Sequence, residues 1–238
     1  MKIALSGYGK MGREVEKAAT ARNHAIVARL DNAHDWEVYQ QDVQKADVVI
    51  DFSQPDVVVD VIKRCFELQI PVVTGTTGWY GSLDELTILC RQKNATLFYA
   101  PNFSMGVHVF FNMNQILARL MNQVGGYKVK VRETHHIHKL DQPSGTAIRI
   151  ADDIVRNIDS LDSWVNEKTK DPDKLPVLSK RKGEVTGTHK VIYSSGADKI
   201  ELTHKAENRS GFALGALAAA VFVQNKQGVF TMSDLLNY

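Results

Sequence analysis

The chain has 238 residues, of which 44% are hydrophobic and 24% are charged, and it carries a formal net charge of +2. This length is sufficient for one large domain or for two modest domains with a substantial core. The nearly balanced charge gives no general reason to expect nucleic acid or a membrane surface as a partner, so any site for an anion has to be local.

The first half of the chain alternates short β-branched runs with longer helical patterns, as in the βαβ units of a parallel sheet. The patterns predict strand 2–6, helix 11–22, strand 25–30, strand 47–52, helix 56–68, strand 71–74, helix 82–93 and strand 96–100. Pro55 and Pro71 lie where one element ends and the next begins, where proline is tolerated. We therefore predict a Rossmann-type α/β domain with a parallel sheet.

The pattern changes from residue 105 onward. A long apolar helix over 105–124 precedes a strand over 128–132, in which charged and apolar residues alternate as in a sheet with one solvated face. The elements that follow are a helix over 146–158, a charged surface excursion over 159–182, two antiparallel strands over 184–194 and 199–205, and a buried, alanine-rich helix over 211–223. This part is predicted to be a second, α+β domain with an open mixed sheet, inserted before the last helix.

A glycine-rich turn follows the first strand directly and opens the first helix. Its residues are Gly7, Tyr8, Gly9, Lys10, Met11 and Gly12. In this context the turn is a dinucleotide-binding fingerprint: Gly7 permits the tight turn, Gly9 lets the backbone approach a pyrophosphate, and Gly12 lets helix and strand pack closely. The pyrophosphate is expected on the helix N-terminus, where free N–H groups favour an anion. The alternative is a structural turn that binds no cofactor.

An acidic residue, Asp31, ends the second strand, where such a residue binds the ribose hydroxyls of a dinucleotide. The next residue is Asn32, with no adjacent arginine to bind a 2′-phosphate, which favours NADH over NADPH. The loops 74–78 and 100–104 follow later strands and are expected at the same sheet edge, near a nicotinamide. Ordinary turn chemistry would explain either loop as well.

Three of the eight histidines lie in the stretch ETHHIHKLDQPSGTA, residues 133–147. A metal site made of His135, His136 and His138 requires convergent side chains, but neighbours on a strand point to opposite faces. Lys139 beside them would oppose a cation, so we predict no metal. A solvated loop with incidental histidines is the second alternative.

The third alternative is a site for an anionic substrate. Ser144 is a good N-cap, and Gly145 and Thr146 would present backbone N–H groups to a carboxylate at a helix start. With His135, His136 and Lys139 close by, the stretch could bind a small polyanion and deliver a proton. Together with a dinucleotide site, this predicts a reductase.

The cysteines and the apolar runs bear on where the protein acts. Cys65 and Cys90 each lie in an apolar, helix-like stretch, which suits inert thiols in a reduced compartment. The N-terminal apolar run is too short for a signal peptide, and the longest apolar stretch elsewhere, 212–223, is about half of a membrane span. We expect a cytoplasmic protein with no membrane partner.

Six motifs together resemble those of the 4-hydroxy-tetrahydrodipicolinate reductase (dihydrodipicolinate reductase) family of diaminopimelate and lysine biosynthesis. They are GYGKMG at 7–12, DFSQPD at 51–56, GTTG at 75–78, APNFSMGV at 100–107, ETHHIHKLDQPSGTA at 133–147 and ELTHKAENRSGF at 201–212. The resemblance runs almost from end to end. The histidine–lysine–PSGTA motif is highly specific, whereas the glycine turn alone is not.

The resemblance implies a role for each matching residue. His135 is expected to be the proton donor and acceptor, Lys139 a second proton donor, and His136, Gly145 and Thr146 the ligands of the substrate carboxylates. NADH or NADPH is expected to bind Gly7 to Gly12, Asp31, Gly75, Thr76, Thr77, Ala100, Pro101, Asn102 and Phe103. It further implies a dinucleotide-binding domain of residues 1–104 and 209–238, a substrate-binding domain of residues 105–208, and a homotetramer formed through the sheets of the latter.

The chain departs from the family pattern in three places. The stretch between Asp31 and Asp47 is shorter than expected, as is the region before Gly183, and Gly187-Thr188-His189 stands where Gly-Glu-His is expected. The short first stretch predicts that part of the wall on the adenine side of the cofactor site is trimmed. Two other functions stay open at this point: a dehydrogenase of another imino or keto acid, and a non-catalytic dinucleotide sensor.

Overall fold

The computed structural model describes residues 1–237, and the chain divides into two compact units. The first unit comprises residues 1–105 together with the C-terminal residues from Arg209, and the second unit comprises residues 106–208. No helix among the described residues is long and apolar enough to cross a membrane.

The helices and strands alternate through the first half and become strand-rich in the second. In chain order they are β1 (Lys2–Ser6), α1 (Lys10–Thr20), β2 (Ala25–Leu30), α2 (Ala33–Val38), α3 (Gln40–Val43), β3 (Val48–Asp51), α4 (Val58–Glu67), β4 (Val72–Thr74), α5 (Leu83–Gln92), β5 (Thr96–Tyr99), α6 (Met105–Val124), β6 (Lys128–His135), α7 (Gly145–Val155), β7 (Ser163–Val165), β8 (Lys174–Arg181), β9 (Gly187–Ser194), β10 (Lys199–Ala206), α8 (Ser210–Phe222), β11 (Gly228–Phe230) and α9 (Met232–Leu236).

The first unit is a six-stranded parallel sheet with helices on both faces, in the order β11-β5-β4-β3-β1-β2. Successive residues of β1 face opposite layers: Ile3 and Leu5 join the core that contains α1 and α8, and Ala4 joins the core of α4 and α5. The strand order reverses between β1 and β3. In such sheets, ligands bind outside the carboxyl ends of the strands at this reversal.

The second unit is a five-stranded mixed sheet in the order β10-β9-β6-β8-β7. β6 pairs antiparallel with β9 and parallel with β8, so that β6 lies at the centre of the sheet. One face packs against α6 and α7 through residues such as Val131 and Ile150, whereas the next residue of β6, Arg132, is exposed. The predicted fold class, a Rossmann-type parallel sheet with an inserted mixed-sheet α+β unit, is confirmed, as are the buried free thiols of Cys65 and Cys90.

The prediction of a surface excursion over 159–182 is wrong, because this stretch contains β7 and β8. Leu175 and Val177 of β8 are completely buried, and the strand is paired on both sides. Charged ends and Pro176 hide the alternation that turns every second side chain to the core. The short elements α2, α3, β11 and α9 were also not predicted, since their few residues carry no measurable periodicity.

Because β8 supplies core residues, truncating one of them should destabilise the protein. We expect Leu175→Ala to lower the free energy of unfolding by about 2–5 kcal/mol, as for other buried leucines. Lys180→Ala, an exposed position on the same strand, should change it by less than about 0.5 kcal/mol. Urea unfolding of both variants tests this, and equal effects would contradict the placement of β8 in the core.

Candidate active site

The glycine turn after β1 is shaped to receive an anion. Gly7 has a φ of +79°, and a Cβ at this position would lie 2.4 Å from the carbonyl oxygen of Phe52, so only glycine lets the loops after β1 and β3 approach this closely. A Cβ on Gly9 would meet nothing within 4 Å, and Gly9 caps α1 without any side-chain hydrogen bond. The first N–H groups of α1 therefore have no side-chain cap, which fits a pyrophosphate.

A cavity of about 580 Å³ lies beside this turn, within the first unit. Its lining includes Gly7, Gly9, Asp31, Asn32 and Trp36. The Asp31 carboxylate accepts a hydrogen bond from the backbone N–H of Tyr8, with 2.6 Å between Oδ1 and N, so the acid lies directly against the turn. These residues fit the adenosine half of a dinucleotide.

The other residues of the turn make contacts within the unit. The hydroxyl of Tyr8 donates to Glu16, Lys10 is exposed, and Met11 packs against the core around α1 and α8. Gly12 is buried, and a Cβ there would lie 2.5 Å from the carbonyl oxygen of Gly7. Tyr8, Met11 and Gly12 therefore help to hold the turn in place through contacts within the unit.

A buried carboxylate, Asp51, holds together three loops at this sheet edge. It accepts hydrogen bonds from the hydroxyls of Ser6 at 2.8 Å, Thr74 at 2.7 Å and Thr76 at 2.8 Å. The chain ends of β1, β3 and β4 are thereby tied to one group. Sequence reasoning did not assign Asp51 a role, although an acid that ends an apolar strand just before a turn is a recognisable signal.

The last predicted cofactor loop, residues 100–103, continues along the same edge. The N–H of Ala100 donates to the carbonyl of Thr74 at 3.1 Å, and the Phe103 ring stacks on Phe98 with 5.8 Å between centroids. Phe103 is only 2% exposed. Any cofactor contact made by Phe103 therefore involves its backbone, because its side chain belongs to the core.

In the second unit, Glu133 on β6 is the centre of a buried polar cluster. Its Oε2 lies 3.1 Å from Nδ1 of His135, and its Oε1 accepts from the backbone N–H of Ser144 at 3.1 Å and from the Arg181 guanidinium at 3.3 Å. His189 packs edge-on against the His135 ring, with 5.0 Å between centroids. Glu133, His135 and His189 are all buried.

The cluster shifts the pKa values of two of its members. Burial alone would raise the pKa of Glu133, but its contacts with His135 and with the Ser144 N–H outweigh burial and hold this pKa well below the usual range. Burial, assisted by the charge on His135, lowers the pKa of His189 to about 3. Near neutral pH, Glu133 is therefore ionised and His189 is neutral.

The start of α7 is connected to this cluster. The Ser144 hydroxyl accepts from the N–H of Ala147 at 3.2 Å, as an N-cap does, and lies 3.2 Å from Nε2 of His189. Gly145 is exposed and Thr146 is half-buried. As the first residues of a helix they have N–H groups with no carbonyl partner inside the helix, which suits a carboxylate ligand.

Lys139 is held by an ion pair. Its Nζ donates to both carboxylate oxygens of Asp141, at 2.7 and 2.8 Å, and its side chain is 24% exposed. Arg181 donates from Nε to the carbonyl of Lys139 at 3.2 Å, so the guanidinium connects this loop to Glu133. The ion pair with Asp141 occupies at most two of the three N–H groups of the Lys139 ammonium.

The three histidines of the stretch have different neighbours. His135 faces His189, whereas the His136 ring is 6.1 Å from the ring of His138, which is exposed. Ligand atoms of Glu133, His135 and His189 lie within 4.8 Å of one another, a spacing that a metal ion could bridge. The Arg181 guanidinium already supplies positive charge to that carboxylate, so we assign no metal there.

The structure thus connects His135 to the Ser144 cap of the Gly145–Thr146 helix start through one carboxylate. Sequence reasoning did not identify Glu133, Arg181 or His189 as members of this site. One signal was present: Glu133 precedes His135 by two residues on a strand, which puts both on the same face. Arg181 and His189 come from β8 and β9, and only the sheet pairing brings them to β6.

Comparison with known proteins shows similarity over nearly the whole chain. The family models "Dihydrodipicolinate reductase, N-terminus" and "Dihydrodipicolinate reductase, C-terminus" match residues 1–103 and 106–236. A 4-hydroxy-tetrahydrodipicolinate reductase of Christiangramia forsetii is 45% identical over 100% of this chain and 98% of its own. One from Neisseria gonorrhoeae is 33% identical over 81% of this chain and 73% of its own.

Solved structures share the fold. A dipicolinate-bound dihydrodipicolinate reductase from Paenisporosarcina sp. TG-14 has a TM-score of 0.77 at 23% identity, with 97% of each chain covered. An amine dehydrogenase from Mycobacterium smegmatis has a TM-score of 0.60 at 11% identity, covering 98% of this chain and 95% of its own.

The low pKa of His189 predicts a pH-dependent stability. Between the ordinary value of 6.5 and about 3, the unfolded chain binds a proton that folded His189 does not, so stability is lost as the pH falls through this range. We expect the melting temperature of the wild type to fall more between pH 6.5 and 4 than that of His189→Gln. The exposed His138→Gln is the control and should follow the wild type; parallel curves for all three proteins would contradict this.

Proposed function

The chain belongs to the dihydrodipicolinate reductase family, and we propose that it reduces 4-hydroxy-tetrahydrodipicolinate with a cofactor on its first unit and a proton from its second. It is an oxidoreductase of lysine and diaminopimelate biosynthesis. The net reaction replaces the 4-hydroxyl group of the substrate by hydrogen. It consumes one hydride and one proton and releases the oxygen as water. The nicotinamide cofactor supplies the hydride, and the protein supplies binding, orientation and the proton.

His135 is the proposed proton donor. The observation that carries this proposal is that one buried carboxylate, Glu133, contacts both His135 and the backbone of Ser144 at the start of α7. An imidazole, which can act as a general acid, is thereby held in one polar cluster with a helix start suited to anions. Lys139 is proposed as the second donor, released from Asp141 when an anionic substrate competes for its ammonium group.

The substrate is a dicarboxylate, and the second unit offers ligands for its two anionic groups. We propose that Gly145 and Thr146 bind one carboxylate through the first N–H groups of α7, and that His136 contributes to carboxylate binding. The favourable end of the helix dipole and the nearby Lys139 support this assignment. Neither a non-catalytic sensor nor a dehydrogenase of another imino or keto acid is favoured, since the reductase motif is complete.

NADH is the proposed preferred cofactor. It would be held by the turn from Gly7 to Gly12, by Asp31, and by the loops 75–77 and 100–103. Asp35 supports the preference, because its Oδ2 accepts from the N–H groups of Asp31 at 2.7 Å and Asn32 at 3.2 Å. A second negative charge thus lies beside Asp31, where it would repel a phosphorylated ribose.

Several proposals about organisation follow from the family resemblance. We propose residues 1–104 and 209–238 as the dinucleotide-binding domain and residues 105–208 as the substrate-binding domain. We also propose a homotetramer formed through the sheet of the second unit. A cytoplasmic location is supported by the two buried, unpaired cysteines, which suit a reducing compartment.

The central test is turnover. Purified protein should oxidise NADH or NADPH only when 4-hydroxy-tetrahydrodipicolinate is supplied, and His135→Gln should lower kcat by about 10²- to 10⁴-fold, the usual contribution of a general acid. The dissociation constant for NADH should not change, because His135 belongs to the second unit. Exposed His138→Gln is the matched control. Full turnover in His135→Gln would show that its assigned role is wrong.

The cofactor preference gives a separate test. We expect a higher kcat/KM with NADH than with NADPH, and Asp35→Asn should shift the ratio towards NADPH by about threefold to tenfold, since it removes one negative charge but keeps an acceptor oxygen. Glu37→Gln removes an exposed charge from the same helix and should leave the ratio unchanged. A wild type that prefers NADPH would refute the proposed preference.

A further inference from the structure

The proposed proton donor has one ring nitrogen against a buried carboxylate. Nδ1 of His135 is 3.1 Å from Oε2 of Glu133, which is ion-pair distance, although the two groups are not aligned for a hydrogen bond, and neither atom has a hydrogen-bonding partner elsewhere among residues 1–237. The Glu133 side chain is fully buried and the His135 side chain is 8% exposed. A charged or polar atom without a partner is costly at such a place, so each of these atoms depends on the other.

We propose that Glu133 is a positioning residue that keeps a proton on Nδ1 of His135, so that Nε2 is the nitrogen that gives its proton to the substrate. A carboxylate only accepts hydrogen bonds, so the nitrogen that faces it has to carry hydrogen. The partner of one ring nitrogen thereby decides the role of the other. The contacts with His135 and the Ser144 N–H outweigh the effect of burial and keep the pKa of Glu133 low, so this carboxylate stays ionised near neutral pH.

The proton transfer leaves a defined state of the ring. The Nε2–H bond of the imidazolium breaks, its electron pair stays on nitrogen, and the proton passes to the substrate that receives the hydride. His135 is then neutral, with its remaining hydrogen on Nδ1, the nitrogen that lies 3.1 Å from Glu133. The inference rests on the proposed function for the identity of the reaction, whereas the position of the hydrogen rests on the geometry alone.

His135 contacts Oε2 of Glu133, whereas the other donors around this carboxylate bind Oε1. Arg181 and the N–H of Ser144 bind the other oxygen, Oε1. His189 is neutral near pH 7 because burial lowers its pKa to about 3, and its Nε2 is 3.9 Å from Oε2, farther than the 3.2 Å that separates it from Ser144. The two carboxylate oxygens thus have separate tasks, one to anchor the cluster and one to orient His135.

The motif Gly187-Thr188-His189, which the sequence alone left without a role, completes this arrangement. A Cβ on Gly187 would lie 3.1 Å from Nε2 of His135, closer than a side-chain carbon normally approaches. Glycine therefore keeps free the space beside the nitrogen that is proposed to act on the substrate. His189 supports the ring from the side, at 5.0 Å between centroids.

The position of the hydrogen is measured without turnover. Protein labelled with ¹⁵N-histidine and treated with EDTA is studied by long-range ¹H–¹⁵N correlation at an alkaline pH, with the His135 signals assigned by their loss in His135→Gln. We expect the Nδ1–H tautomer in the wild type and a shift towards Nε2–H in Glu133→Gln. Glu184→Gln, which changes the exposed Glu184–His138 pair, is the matched control and should leave the His135 signals as they are. An Nε2–H tautomer in the wild type would overturn the proposal.

A double-mutant cycle tests whether Glu133 acts through His135. Glu133→Gln should lower kcat by about 10- to 100-fold, as loss of a supporting carboxylate does, while the KM for substrate changes by less than about threefold. In the His135→Gln background the same substitution should change kcat by less than about twofold, because the group it positions is gone. If the two substitutions lowered kcat independently, so that their effects multiplied in the double variant, a positioning role would be refuted. Unfolding of Glu133→Gln, with kcat and KM both changed, would refute it as well.

Gly187→Ala is a further test variant, in which the Glu133 carboxylate is unchanged. It should lower kcat by crowding Nε2 while the tautomer stays Nδ1–H, and an unchanged kcat would overturn the assignment of Nε2. Failure of the wild type to oxidise NADH or NADPH with the substrate would refute the proposed function. Such a failure would not affect the NMR experiment, which tests the position of the hydrogen on His135 without turnover.

Discussion

A carboxylate buried in a protein has to be surrounded by hydrogen-bond donors, and each unit of this chain is organised around one such group. In the first unit, Asp51 is completely buried and receives hydroxyl groups from the ends of two neighbouring strands and from the loop after β4. In the second unit, Glu133 receives a histidine, a backbone N–H and a guanidinium. Within each unit, donors from several elements converge on one charge. The loops of that unit that carry the proposed ligands are thereby held in place relative to one another.

The cluster around Glu133 is better explained by chemistry than by stability. An ionised carboxylate costs several kcal/mol to bury, and well-packed apolar residues often stabilise a fold more. What the cluster achieves is a difference between two neighbouring histidines. Burial keeps His189 neutral, whereas His135 is placed directly against the ionised oxygen. Two histidines beside the same carboxylate therefore differ in role: His189 packs against the ring of His135, and His135 is the proposed proton donor.

Much of the fold and part of the site were predictable from local patterns. The parallel strands, the helix N-terminus at the glycine turn and the acid at residue 31 depend on periodicity and spacing within a few residues. The errors occurred where local signals are misleading: β8 has charged ends and a proline, yet Leu175 and Val177 are in the core. Arg181 and His189 were not identified as members of the site, since no spacing in the sequence shows that β8 and β9 lie on either side of β6.

The sequence by itself determined the fold class, the family, the dinucleotide fingerprint and the identity of the histidine and lysine that are proposed to deliver protons, because these depend on residue types at short, fixed distances along the chain. The tertiary structure decided which nitrogen of His135 faces a charge, that Lys139 is paired with Asp141, and that Asp51 and Glu133 hold the loops together. The donors that converge on Asp51 and Glu133 come from distant segments, whereas the pairs of His135 with Glu133 and of Lys139 with Asp141 depend on the local path and burial of the chain. Strand pairing brings Arg181 of β8 and His189 of β9 to Glu133 on β6, and the packing of the unit removes that carboxylate from water.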